Sequence, residues 1–228
     1  MNSSVAPRLI YCAGGNPSFA RAAVDAGWEY GVRLPDTVYF PLDFADVNWK
    51  KPDRETYMTA LAKYRPKMAV VLDWEHPDQL PEVLTWAEDA AALVSEAVVI
   101  VPKVPGQVDL LPRQVGGRRV VLGYSVPTSY GAAPLGLWEL AGRPVHLLGG
   151  SPQRQRECWH YLAAIASVIS LDGNMAAQQA RRGRFWSPEP HRKGRWRQLA
   201  DAGDLRTEGV PLECFRRSLA AIASVWGV

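Results

Sequence analysis

Short apolar runs recur along the chain. Each closes at glycine, proline or an acidic residue, and most lead into a segment with helical spacing. Residues 9–13 read as a strand ending at Gly14-Gly15-Asn16, and Pro17 opens a helix that runs to Ala26 before Gly27. Residues 30–34 read as a second strand and 38–42 as a third, weakened by Pro41. Residues 52–63 predict a helix with Asp53 near its start and Pro66 after its end. Strands are then expected at 68–72, 97–101, 119–122, 144–148 and 168–171, with helices at 80–94, 110–115, 135–140 and 153–166.

The later strands are apolar throughout rather than alternating, as in a parallel sheet covered on both faces. Eight strands, most followed by a helix, predict an α/β fold, a compact (β/α)8 TIM-type barrel that closes near Leu171; an open doubly wound sheet is the alternative. The barrel is expected to span residues 1–186. Residues 187–228 would form a basic loop and a last helix over 211–225, packed on the barrel.

Composition narrows the class. The chain has 228 residues, 47% hydrophobic and 21% charged, which is ordinary for a folded domain. It has no apolar run long enough to span a membrane, and its N-terminus lacks a signal-peptide pattern, so a cytoplasmic protein with no membrane partner is expected. Cys12, Cys158 and Cys214 are odd in number and far apart, which suits a reducing compartment. With no Cys-x-x-Cys, a zinc site of the usual kind is not expected. The net charge of +3 says little, but its distribution says more. Residues 181–197 carry Arg181, Arg182, Arg184, Arg192, Lys193, Arg195 and Arg197 against Glu189, with Trp186 and Trp196 interleaved. That mixture suits nucleic acid, where cations meet phosphates and rings stack on bases. It reads equally as a solvated basic face with two tryptophans docked on the core.

In such a barrel, chemistry collects where strands end. The polar residues there are Asp43 and Asp46, Asp73 and Glu75, Lys103, Tyr124 and Ser125, Gly149-Gly150-Ser151, and Asp172. Carboxylates gathered on one rim repel and raise one another's pKa unless they bind something. They suit either Mg²⁺ or acid, base and nucleophilic work at a sugar carbon. Asp172, in Ser170-Leu171-Asp172-Gly173-Asn174, also reads as a helix-capping residue when taken alone. His146 lies inside an apolar strand and reads as a hydrogen-bonded core histidine.

Taken together, the strand ends resemble the tRNA-guanine transglycosylase superfamily. The segment from Gly142 through His146-Leu147-Leu148-Gly149-Gly150-Ser151-Pro152 is similar to that family's seventh strand and turn. Asp172 followed eight residues later by Ala180-Arg181-Arg182-Gly183 is similar to its nucleophile and the Ala-Arg-Asn-Gly beyond it. Met68-Ala69-Val70-Val71-Leu72-Asp73 and Gly123-Tyr124-Ser125 resemble its base-binding segments. The glycine pair that normally follows the early aspartate is absent, as are the zinc ligands. In its shortness and lack of zinc the chain is similar to the phage and bacterial transglycosylases that place 7-deazaguanines into DNA.

The resemblance implies an enzyme, a glycosyltransferase that exchanges guanine for a 7-deazaguanine such as preQ0, without a cofactor. Asp172 would be the nucleophile and Asp46 the acid and base, with Asp43 the alternate. Asp73, Lys103, Gly123, Tyr124, Ser125, Gly149 and Gly150 would face the base. The basic segment would hold DNA, or tRNA less readily, with Trp186 or Trp196 stacking. Homodimers are common in the superfamily. Two other readings stay open: base exchange or hydrolysis on free nucleosides or nucleotides, and a non-catalytic nucleic-acid-binding subunit.

Overall fold

A computed structural model describes residues 6–13, 15–128, 133–191, 194–199 and 209–228. Eight parallel strands close into a barrel: β1 (Arg8–Cys12), β2 (Glu29–Arg33), β3 (Phe44–Asp46), β4 (Met68–Val70), β5 (Ala97–Ile100), β7 (Arg118–Ser125), β8 (Pro144–Leu148) and β9 (Ser167–Gly173). Closure comes from β9 pairing with β1, which sets Ile10 opposite Asp172. A two-residue strand, β6 (Gln114–Val115), runs antiparallel to β7. The outer layer holds α1 (Pro17–Asp25), α2 (Arg54–Tyr64), α3 (Leu80–Ala91), α4 (Pro152–Leu162), α5 (Met175–Ala180) and α6 (Gly209–Trp226). Among the described residues no helix is long and apolar enough to cross a membrane.

Local chemistry starts the helices where the pattern places them. The Asn16 side chain accepts from the N–H groups of Ser18 and Phe19, with Pro17 in the first turn of α1. Asp53 caps α2 and Ser151 caps α4 in the same way. The strands are buried on both sides, as their unbroken apolar runs require.

Three elements differ from the pattern. Residues 38–42 form no strand, and the third barrel strand is the short Phe44–Asp46 that follows them. Pro41 cannot donate to a ladder, so pairing begins past it. Residues 110–115 are not a helix; a 3-10 turn, Val108–Leu110, precedes β6. The expected basic loop holds a hairpin of β10 (Arg184–His191) and β11 (Gly194–Gln198), against which α6 packs.

The two barrel ends carry opposite kinds of charge arrangement. Where strands begin, Arg8 and Lys67 form ion pairs with Glu29, Asp43 and Glu96, with Lys67 2.8 Å from Asp43 and Arg8 2.6 Å from Glu96. Where strands end, the carboxylates face a cavity. Between the two ends, Gly31 and Gly123 leave room inside the barrel. A Cβ at Gly31 would sit 3.1 Å from both Ile10 and Phe44, and one at Gly123 2.7 Å from Val101 and Leu148.

Candidate active site

The strand ends enclose a cavity of about 1030 Å³. Asp46, Asp73, Glu75 and Asp172 share its wall with Lys103, Ser125 and the Gly149-Gly150 turn. Backbone direction explains the grouping: each of these residues lies at or just past the end of a parallel strand.

Asp172 is 7% exposed and well held. Its Oδ1 accepts from the Gly149 N–H at 3.1 Å and lies 3.2 Å from His146 Nε2. The amide of Gln155 on α4 donates to the backbone carbonyls of Asp172, at 2.6 Å, and Gly149, at 2.9 Å. That amide locks the turn after β8 to the end of β9. Gly150 needs to be glycine twice over. Its φ is +78°, and a Cβ there would fall 2.5 Å from Val126.

Asp46 accepts from the Val47 N–H at 2.9 Å. Burial, then the charge of Asp172, push its carboxyl up to about 8, so it carries a proton at neutral pH. The same influences, burial first and then Asp172 and Asp46, hold the Cys12 thiol well above its usual range. Burial also raises Asp73, although Lys103 lies 2.6 Å away and opposes it. Burial works against the charge on Lys103, but Asp73 and Glu75, the latter at 3.0 Å, outweigh it and keep the ammonium charged.

The rim adds residues of other kinds. Trp49, 56% exposed, stands on the cavity wall with Lys50 Nζ 5.2 Å and Lys103 Nζ 5.4 Å from its ring centre. Arg33 pairs with Asp36 at 3.2 Å, and both line the cavity. Arg181 reaches the same wall from the end of α5. Among the described residues, no group of three or more His, Cys, Asp or Glu could hold a metal ion.

Set beside known proteins, the chain matches the model of the Family of unknown function (DUF6610) over residues 23–227. It belongs to that family. Curated proteins give no match. Among solved structures, tryptophan synthase subunit alpha from Legionella pneumophila str. Paris is similar at 14% identity and a TM-score of 0.41, over 96% of this chain and 93% of that one. An imine reductase from Myxococcus stipitatus in complex with NADP+ is similar at 13% identity and a TM-score of 0.26, over 96% and 71%. Neither likeness is close enough to carry an argument.

In this DUF6610 chain the structure brings Asp172, Asp46, Asp73, Lys103, Ser125, Gly149, Gly150 and Arg181 together. It separates others. Asp43 lies at the opposite barrel end, paired with Lys67 and accepting from the Tyr30 N–H, so the alternate to Asp46 is excluded from the cavity. Gly123 packs inside the barrel and Tyr124 is buried, and neither lines the cavity. Trp186, 2% exposed, is docked beneath α6 with its backbone N–H on Ser218 Oγ at 2.9 Å, so it cannot stack on a base. Trp196 packs against the core as well. The hairpin cations are largely engaged: Arg197 with Glu189 at 2.8 Å, Arg195 with Gln153, and Arg184 with Gln198 at 3.2 Å. Arg182 is exposed, and Arg192 and Lys193 lie outside the described residues.

Sequence reasoning missed Trp49, Arg33 and the partnership of His146. The signal for His146 was register. Ser170 and Asp172 share one face of β9, and His146 sits across from Ser170 on β8.

Proposed function

We propose that this protein is a glycosyltransferase that exchanges guanine in DNA for a 7-deazaguanine base through an aspartyl-glycosyl intermediate. One observation carries the reading: Asp46, whose carboxyl is pushed up to about 8, and the doubly hydrogen-bonded Asp172 share one cavity at the strand ends. Two carboxyl groups in different environments suit acid and nucleophile at a glycosidic carbon.

The steps follow from these groups. A lone pair of the Asp172 carboxylate attacks C1′, and the bond from C1′ to the purine nitrogen breaks. Its electron pair stays on the leaving guanine, which takes the proton from Asp46. The incoming 7-deazaguanine gives its N–H proton to Asp46. Its nitrogen attacks C1′ and displaces Asp172, so configuration is retained.

Asp73 and Lys103 offer an acceptor and a cationic donor side by side. Guanine presents the complementary edge, N1–H and amine donors beside the O6 acceptor, and adenine presents neither an O6 acceptor nor an N1–H. Lys103 engages Oδ2 of Asp73, which leaves Oδ1 for the base. The exposed Trp49 ring supplies a face for stacking. Arg181 on the cavity wall, with exposed Arg182 beside it, supports phosphate binding at the entrance.

A second reading, base exchange on free nucleosides or nucleotides, draws support from the engagement of the hairpin arginines, which shrinks the surface for a polymer. Mass spectrometry of nucleosides recovered after incubation with labelled guanine or preQ0 decides. DNA, tRNA and free nucleosides are supplied separately. Label in DNA is expected. Label confined to free nucleosides favours the second reading, and label in none of them ends both. Activity appearing only on addition of a second chain would make this one a binding subunit.

A further inference from the structure

We infer that His146 and Ser170 are positioning residues that decide which oxygen of Asp172 reacts. The inference rests on Asp172 being the nucleophile.

His146 is fully buried, and its ring stacks on Phe44 with centroids 4.8 Å apart and planes 27° from parallel. Nδ1 lies 2.8 Å from Ser170 Oγ, and Nε2 lies 3.2 Å from Asp172 Oδ1. Heavy-atom positions alone do not say which nitrogen bears the proton. The serine does. Its hydroxyl is fully buried, and His146 Nδ1 is its one hydrogen-bond partner among the described residues. A buried O–H finds an acceptor, so Ser170 donates to Nδ1. Nδ1 is then bare, the proton sits on Nε2, and Nε2–H donates to Asp172 Oδ1.

Oδ1 thus takes two donors, His146 Nε2–H and the Gly149 N–H. Oδ2 has no hydrogen-bond partner among the described residues and is therefore the oxygen left to form the bond. Hydrogen bonds drain electron density from the oxygen that accepts them, so the unbonded oxygen is the stronger nucleophile. Phe44 completes the arrangement. It lies two residues before Asp46 on β3, and one strand therefore both carries the acid and clamps the ring that orients the nucleophile.

Nitrogen-15 NMR of histidine-labelled wild-type protein reads the tautomer directly. Among the chain's four histidines, His146 is assigned through contacts of its ring protons with Phe44. The expected result is a protonated Nε2 and a bare Nδ1, with a second tautomer appearing in Ser170→Ala. A proton on Nδ1 in the wild type overturns the proposal, even in a protein that exchanges bases normally. In exchange assays, His146→Leu should lower kcat by about 100-fold with KM for the incoming base unchanged. His146→Gln, which keeps a donor for Oδ1, should recover most of that loss. A glutamine variant no better than leucine, or a loss confined to KM, contradicts the positioning role. A wild type that exchanges no base removes the nucleophile assignment, and this proposal falls with it whatever the tautomer.

Discussion

Asp46→Asn should flatten a pH dependence of stability that the wild type carries. The unfolded chain binds this proton with a pKa of about 3.9. The folded protein holds it to about 8, chiefly through burial. The folded state is therefore the better proton binder. Between about pH 4 and pH 8 the unfolded chain has released the proton while the folded chain keeps it, so stability falls as pH rises through that window and levels off above it. Four pKa units at about 1.4 kcal/mol each give a ceiling of about 6 kcal/mol. The residue is partly open to the cavity, and water there lowers the figure, so about 2–4 kcal/mol is expected. Asparagine is nearly isosteric and keeps an oxygen for the Val47 N–H. Urea unfolding, followed by the fluorescence of the nine tryptophans, at several pH values between 5 and 9 measures the effect. The variant should gain on the wild type steadily as pH rises. Groups remote from Asp46 titrate alike in both proteins and cancel in the difference, whereas its coupling to Asp172 and Asp73 is part of the effect measured. Parallel stability curves would refute the burial argument and with it the assignment of Asp46 as a proton-bearing acid.

Other outcomes follow from the same geometry. Asp172→Asn should lower base exchange by more than about 1000-fold while leaving the thermal midpoint within a few degrees, read by exchange assay and calorimetry together. Asp73→Ala should weaken guanine binding by roughly 10- to 100-fold without unfolding, measured by titration calorimetry, because a charge-assisted acceptor is lost. Trp186→Ala should cost about 3–5 kcal/mol of stability, since the ring is buried beneath α6; unchanged stability with weaker DNA binding would restore it as a stacking residue. Arg181→Ala should reduce the salt dependence of DNA binding by about one unit of slope, and Arg197→Ala, already paired with Glu189, should leave it nearly unchanged.

Much of the barrel was legible because parallel strands buried on both faces leave continuous apolar runs. Those runs ended where the strands end, which put Asp46, Asp73 and Asp172 on one rim. The third strand was misplaced because residues 38–42 are apolar without pairing, and a three-residue strand has too little pattern to stand out. Asp43 and Asp46 could not be separated from composition. Three residues along one strand carry the chain from the ion-paired end of the barrel to the cavity, and only register fixes which aspartate goes where. In the basic hairpin, charge along the sequence did not reveal which side chains the arginines meet. Glu189, Gln153 and Gln198 engage arginines that looked available for phosphate. His146 was correctly read as a hydrogen-bonded core residue. That its partner is Asp172 depends on a contact between neighbouring strands, 26 residues apart in sequence, that no local pattern records.

Covalent trapping tests the account most directly. The wild-type protein is incubated with a guanine-containing oligodeoxynucleotide in the absence of free base, quenched in acid, digested and sequenced by mass spectrometry. A glycosyl adduct on Asp172, absent from Asp172→Asn, is the result expected. An adduct on another residue, or none from a preparation that exchanges guanine, would contradict a carboxylate nucleophile at the end of β9.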